Sequence, residues 1–510
     1  MRAHGNTETT ETRISTLPDV RISAENFGPI VNGSIDLRPL TVFVGPSNTG
    51  KTYLATLIYA FHKTLPDFSL LPVMGKHLHR FVQDLGDTKT STRDERSWEV
   101  LFQDIVGKLQ TKGRRFMFTD LPSPVRERWK IVLNDNQLLG KELENELQRC
   151  FGLRSISELV RLSGSSDSAE LSLNVSDECR PLWNVDIKVS TSGITTEGRI
   201  EGMVLFPDGG AVANRWGHGK FRELAKKTVG EFFDEFLYSA AWNDRRGESH
   251  YLPAARSGVM LSHRVISSSL MANATRAGMD PFPEIPTFSG MVADFLQQLI
   301  LYEEERTPDN LMKNFADVLE RNVLDGKIRV NRASAGGYPD FVYQPRKSKK
   351  TIRLARASSM VTELAPIVLF LRGVIARGDT LIIDEPEAHL HPEMQVEFTR
   401  FLASVVRSGI RIILTTHSEW VLEELANLVQ ASELSKSERL AINGSDIALT
   451  EKEVGAWLFK PKRRPKGSVV EEIPLNRESG TFAAGYDKVA VDGYNRWAEM
   501  TSRTAKDEDK

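Results

Sequence analysis

The chain has 510 residues, 40% hydrophobic and 26% charged, which is ordinary globular usage and enough for roughly two to four structural units. A formal net charge of −2 and a pI near 6.6 give no overall field to draw in nucleic acid, so any DNA contact has to be local. Only Cys150 and Cys179 are present, no apolar stretch opens the chain, and the longest apolar run, Ala365 to Leu371, falls well short of the about 20 residues that cross a bilayer, so a cytoplasmic protein without disulfides or a membrane span is expected.

Residues 1–17 are polar, rich in Thr and Glu, and read as a disordered tail. Residues 18–65 form a first lobe. From Asp19, DVRISAENFGPIVNGSIDLRPLTVFVG gives three short strands broken at Asn26 to Gly28 and at Asn32 to Gly33, and the third runs into a glycine-rich loop. Thr52 to about Lys63 follows as a helix, with Leu54, Leu57, Ile58 and Phe61 at helical spacing.

Residues 66–245 read as an inserted, mainly helical lobe with segments such as SWEVLFQDIVGKLQ and GKELENELQRCFG, followed by strand-like ELSLNV, NVDIKVS and EGRIEGMVLF. No heptad persists there for the about three or four repeats that a long coiled-coil arm requires. Residues 246–435 form a second lobe with strands at KIRVNR, DFVYQ and KTIRLA. An apolar helix from Val361 to Ala376, a buried strand at TLIIDE, a helix and a strand at RIILTTH complete it. Such alternation marks a parallel α/β core. Residues 436–510 read as a C-terminal extension.

Gly45, Pro46, Ser47, Asn48, Thr49, Gly50, Lys51 and Thr52 fit the phosphate-loop pattern G-x-x-x-x-G-K-[ST], in which backbone N–H groups wrap phosphates and the following helix directs its positive end at them. The strand PLTVFV before the loop and the helix YLATLIYAFHK after it supply the context that a chance match lacks. Lys51 would meet the β- and γ-phosphates of ATP, and the Thr52 hydroxyl would meet Mg²⁺.

TLIIDEP ends a buried strand in two adjacent carboxylates, whose side chains alternate and so cannot share one task. Asp384 is the candidate to hold Mg²⁺ through water, and Glu385 the candidate to polarise the attacking water. A solvent-facing acidic strand end is the bland alternative, outweighed by the phosphate loop upstream. His417, ending the strand RIILTTH, is placed to contact the γ-phosphate at a nucleotide crevice. Lys51, Glu385 and His417 are therefore the candidate catalytic residues.

The order NFGPI, phosphate loop, LIIDEPEAHLHP, TTHS resembles the ABC-type ATPases related to the SMC and OLD families, in particular stand-alone bacterial AAA family ATPases that share YLPAARSG and an SSM-type signature. The likeness spans roughly 19–65 and 250–432. It implies an α/β ABC-type head, with a mixed or parallel sheet, antiparallel N-terminal strands and an inserted helical lobe. It also implies an ATP-sandwich homodimer, in which ASSMVTELAPI at 357–367 of one head caps the γ-phosphate held by the other.

Ser358 or Ser359 would donate hydrogen bonds there, although Ser-Ser-Met with Glu363 further along departs from the usual glycine-rich signature. An ordinary helix N-cap is the competing reading. AHLHP at 388–392 would touch the partner head, and His389 with His391 alone makes a weak metal site. Arg256 in YLPAARSG would face the nucleotide or the signature, or make an ordinary surface salt bridge. Gln83 and Gln103 compete as the Mg²⁺-sensing glutamine.

Two basic clusters, Arg346, Lys347, Lys349 and Lys350, and Lys460, Lys462, Arg463, Arg464 and Lys466, are either DNA contacts or solvated loop faces. By resemblance the chain is the sensor ATPase of an anti-phage defence or genome-maintenance system, with a separate effector protein as partner. A DNA-binding repair ATPase of the recombination-mediator kind is the alternative. A fused OLD-type nuclease is disfavoured, since Glu451, Glu453, Glu471, Glu472, Asp487 and Asp492, downstream of Ser432, form no strand-end cluster.

Overall fold

The computed structural model describes residues 18–65, 139–161, 167–177, 180–200, 247–274, 288–303, 310–331, 338–443, 446–476, 481–482 and 491–500, with scattered positions between 104 and 134. The 1–17 tail, most of SWEVLFQDIVGKLQ, Gln83, Gln103 and Cys179 lie outside the described residues.

The first lobe contributes β1 (Asp19–Phe27), β2 (Ile30–Leu37), β3 (Leu40–Val44) and α1 (Lys51–Thr64). Then come α2 (Lys141–Phe151), β4 (Ser168–Asp177), β5 (Arg180–Ser190), β6 (Gly193–Ile200) and β7 (Ser249–Leu252). Helices α3 (Arg256–Ala274), α4 (Gly290–Ile300) and α5 (Asn310–Asn322) precede a small sheet of β8 (Gly326–Asn331), β9 (Asp340–Pro345) and β10 (Ile352–Arg353). The second lobe continues with α6 (Ser359–Gly373), β11 (Thr380–Asp384), α7 (Pro392–Arg407), β12 (Arg411–Thr416), α8 (Glu419–Ala431) and α9 (Lys436–Asn443). The last strands are β13 (Val454–Lys462), β14 (Gly467–Glu472), β15 (Leu475–Asn476) and β16 (Thr481–Phe482).

One eleven-stranded sheet, in the order β6-β5-β4-β1-β2-β14-β13-β3-β12-β11-β7, organises the chain into an α/β fold. Strands β6, β5, β4, β1 and β2 pair antiparallel, whereas β13, β3, β12, β11 and β7 run parallel. The mixed sheet with antiparallel N-terminal strands is the architecture that the sequence resemblance implied.

Two segments sit differently from their sequence reading. The stretch 436–510, read as an extension, places β13 and β14 in the middle of the sheet, because the apolar run of β13 pairs with β3 while β14 pairs with β2. In the segment 66–245, read as an inserted helical and β lobe, the strands expected at ELSLNV and NVDIKVS lie in β4 and β5, and with β6 they prolong the main sheet outward from β1, since their alternating apolar faces bury against α2. The apolar helix expected from Val361 to Ala376 runs instead from Ser359 to Gly373, because Ser358 caps it earlier.

The parallel strands are buried on both faces, as covered parallel strands require. Phe43, Ile382 and Ile413 point into a core with α1 and α2, whereas Leu40, Val42, Val44, Leu381, Ile383, Ile412 and Leu414 point into a second core with α6, α7 and α8. This two-sided clamping fixes the C-terminal ends of β3, β11, β12 and β7 side by side. Crevices beyond such strand ends are where open α/β sheets bind ligands. Among the described residues no helix is long and apolar enough to cross a membrane.

Candidate nucleotide site

The loop after β3 has the conformation a phosphate cradle needs. Gly45 has φ +137, and a Cβ there would stand 2.6 Å from the Phe459 carbonyl oxygen. Gly50, with φ +99, caps the start of α1, where a Cβ would meet Pro29 and Ile30 at 2.9 Å. The NFGPI segment thus packs against the loop it precedes in sequence.

Lys51 is buried, and its Nζ donates to the carbonyls of Gly45 at 2.8 Å and Pro46 at 2.9 Å. Burial pushes its pKa below the ordinary lysine value, with the nearby carboxylates of Glu385, Asp384 and Glu387 opposing that shift. An ammonium curled over its own loop has the reach and charge to turn to a phosphate oxygen.

Register brings the acidic strand end to this loop. Asp384 on β11 pairs with Thr415 on β12, and Thr415 in turn pairs with Phe43 on β3. The Oδ1 of Asp384 accepts hydrogen bonds from the Thr415 hydroxyl and, at 3.1 Å, from Thr52 Oγ1. Burial raises the Asp384 pKa above the usual carboxylate value, and the hydrogen bonds from Thr415 and Thr52 oppose it.

Among the described residues no group of three or more His, Cys, Asp or Glu gathers as a metal cage. A Mg²⁺ ion needs none, being held by one or two carboxylates with waters and substrate phosphates. Asp384 and Thr52, already touching, fit that pattern.

Glu385 turns the other way. Its side chain is 42% exposed, its Oε1 lies 3.6 Å from His417 Nε2, and its backbone sits at φ +46. The Glu385 N–H donates to the Thr415 carbonyl at 3.0 Å, and the His417 N–H donates to Glu387 Oε1 at 2.7 Å. A carboxylate at the crevice mouth with an imidazole beside it can accept a proton from water and orient it, a task buried Asp384 cannot perform.

Ser358 and Ser359 are exposed at the N-terminus of α6, and Ser358 Oγ accepts from the Val361 N–H at 3.4 Å, so the cap expected as the alternative is present. Among the described residues no hydrogen bond joins either serine to the phosphate loop of the same chain. His391 caps α7, its Nδ1 accepting from the Glu393 N–H at 3.4 Å, and His389 is largely exposed with φ +64. Both basic clusters include exposed turn residues, with Arg346 3.8 Å from Asp325 and Lys460 3.6 Å from Glu471.

Arg256, open between site and surface in the sequence, is completely buried and bonds the carbonyls of Glu363, Asp384 and Glu385. Sequence reasoning missed Thr415 and Ser468. Ser468 donates its hydroxyl hydrogen to the carbonyl of Thr49 in the phosphate loop. Thr415 was within reach: strands ending in LIIDE and LTTH, paired side by side, set a threonine next to the aspartate. Nothing local marks Ser468.

Residues 284–422 match the family model described as an AAA ATPase domain. Over 119 residues the chain is 29% identical to the energy-coupling factor transporter ATP-binding protein EcfA2 from strains of Streptococcus thermophilus, covering 21% of this chain and 41% of the relative. The match thus spans less than half the length of that protein. Among solved structures, an SMC head bound to the C-terminal winged-helix domain of ScpA aligns over 90% of this chain and 98% of its own, at 11% identity and a TM-score of 0.40. The SMC head domain from Thermotoga maritima aligns over 90% and 99%, at 11% identity and a TM-score of 0.34.

Proposed function

We propose that this chain, whose residues 284–422 match an AAA ATPase domain, is an ATPase of the ABC/SMC-like AAA type in which ATP bound at Gly45–Thr52 draws two heads together and hydrolysis releases them, making the pair a switch. The observation that carries this reading is the contact of Thr52 with Asp384, which unites the phosphate loop and the acidic strand end, 332 positions apart, in one crevice. Lys51 and the loop N–H groups hold the phosphates, and Asp384 and Thr52 are the residues that would hold Mg²⁺, whose charge would neutralise the phosphate oxygens. Glu385 takes the proton of the attacking water, with His417 beside it at the γ-phosphate end.

Each head supplies half an enclosure. The exposed serines at the start of α6 have free hydroxyl capacity and a helix N-terminus behind them, the arrangement that favours a phosphate brought by a second copy. Exposed His389, on the loop after Glu385, is placed for contact with that copy.

In the cell this switch acts as the sensor or regulatory ATPase of a bacterial anti-phage defence or genome-maintenance system, passing its state to a separate effector protein. Mass measurements with and without ATP and Mg²⁺ test it. The Glu385→Gln protein should accumulate as a pair with ATP, and wild type should pair transiently. A mass unchanged in every nucleotide condition, in a protein that binds ATP, would count against the switch.

A second reading, DNA-stimulated repair ATPase, draws on the β13–β14 turn, where Lys462, Arg463, Arg464 and Lys466 are all exposed. Binding through that turn would weaken steeply with salt. Turnover indifferent to added duplex and single-stranded DNA would dismiss it.

A further inference from the structure

We infer that Arg256 and Glu363 form a buried latch through which α6, the helix that carries the exposed serines, sets the direction of the Glu385 carboxylate, so that Arg256 is a positioning residue for hydrolysis. One guanidinium ties α6 to the end of β11. Its Nε lies 3.1 Å from the Glu363 carbonyl and 3.2 Å from Glu363 Oε2 on α6. Its Nη1 donates to the Asp384 carbonyl at 2.7 Å, and its Nη2 donates to the Glu385 carbonyl at 3.2 Å.

Glu385 needs such support. A non-glycine residue at φ +46 is strained, and strain of this kind persists only where the surroundings over-determine it. The Glu385 carbonyl also accepts from the Ala388 N–H at 3.2 Å, so Arg256 and the following loop together fix the peptide planes on both sides of its Cα. The direction of the side chain follows from those planes.

Glu363 anchors the other end of the latch. It is 2% exposed, and its Oε1 accepts from Ser257 Oγ at 2.5 Å and lies 4.0 Å from Nε2 of His389. A planar guanidinium with fixed donor directions cannot follow α6 without pulling on the Asp384–Glu385 carbonyls. A phosphate captured at the N-terminus of α6 is thereby transmitted to the group that activates water. This transmission rests on the paired-head reading, whereas the positioning of Glu385 holds within a single head.

Steady-state hydrolysis by Arg256→Lys and Glu363→Gln tests the latch. Lysine keeps the charge but loses the fork, and glutamine keeps the shape and a partner for Ser257 but loses the ion pair. Since misplacing a reacting group by about 1 Å can cost about 10²-fold, kcat should fall by about that factor in Arg256→Lys and about tenfold in Glu363→Gln, with KM for ATP within about twofold of wild type. ATP-dependent pairing measured by mass should persist in both.

Values of kcat within about threefold of wild type in both variants, or KM rising in step with the loss, would overturn the proposal. Should Arg256→Lys fail to fold, Glu363→Gln decides alone. A wild type that hydrolyses ATP without pairing would defeat the paired-head reading, and the kcat and KM pattern would still judge the latch.

Discussion

Ser468 donates its hydroxyl hydrogen to the carbonyl of Thr49, joining a strand late in the chain to the candidate phosphate loop. The contact exists because β14 lies beside β2, with the Ser468 N–H also donating to the Pro29 carbonyl at 2.9 Å. The strands from Val454 onward therefore support the candidate nucleotide site.

A truncation ending before Val454 should fail to fold, since it leaves the facing edges of β2 and β3 unpaired and uncovers Phe43 and Ile30. Ser468→Ala should fold and lose only the net value of one hydrogen bond, about 0.5–1.5 kcal/mol. Limited proteolysis of the truncation and a denaturant titration of the variant check both.

Substituting the two carboxylates should give different defects. Glu385→Gln is expected to retain ATP while turnover drops by about 10²- to 10⁴-fold, the usual contribution of a positioned base. Asp384→Asn should instead raise the Mg²⁺ concentration needed for half-maximal turnover. Identical magnesium dependence in the two proteins would refute the division of labour.

Gly45→Ala should be poorly tolerated. At φ +137 an alanine adds backbone strain of about 1–3 kcal/mol, apart from the clash with the Phe459 carbonyl. Thermal melting should show a lowered midpoint, accompanied by lost ATP binding.

His62 predicts an acid sensitivity unrelated to catalysis. Burial, with the positive charges of Arg411 and Lys63 adding to it, lowers its pKa from 6.5 to about 3. The unfolded chain therefore binds a proton near pH 6.5 that the folded chain refuses. The contribution of neutral His62 is complete above pH 6.5 and is lost as pH falls toward 3, at up to about 1.4 kcal/mol per pH unit. His62→Gln should flatten the fall of stability between pH 6.5 and 4 measured by urea unfolding.

The parts of this fold legible in the sequence are those written in local pattern. Leu40, Val42, Phe43 and Val44 of β3 before Gly45, Leu381, Ile382 and Ile383 of β11 before Glu385, and helical spacing in α1 mark strand, loop and helix without knowledge of neighbours. Strand order is not local, which is why β13 reads as extension until its pairing with β3 is seen. Arg256 escapes for the same reason: its partners lie 107, 128 and 129 positions away, and nothing beside it in the chain announces burial.

The central claim, a phosphate held by one head and enclosed by another, is tested most directly by mixing two inactive proteins. Lys51→Ala should be unable to hold phosphate, and Ser358→Arg combined with Ser359→Arg should be unable to cap it. If sites are shared across a two-fold pair, each mixed pair contains one intact site, so an equimolar mixture should recover up to about a quarter of wild-type ATPase activity. A mixture as inactive as its components, although the two proteins associate, would contradict the account.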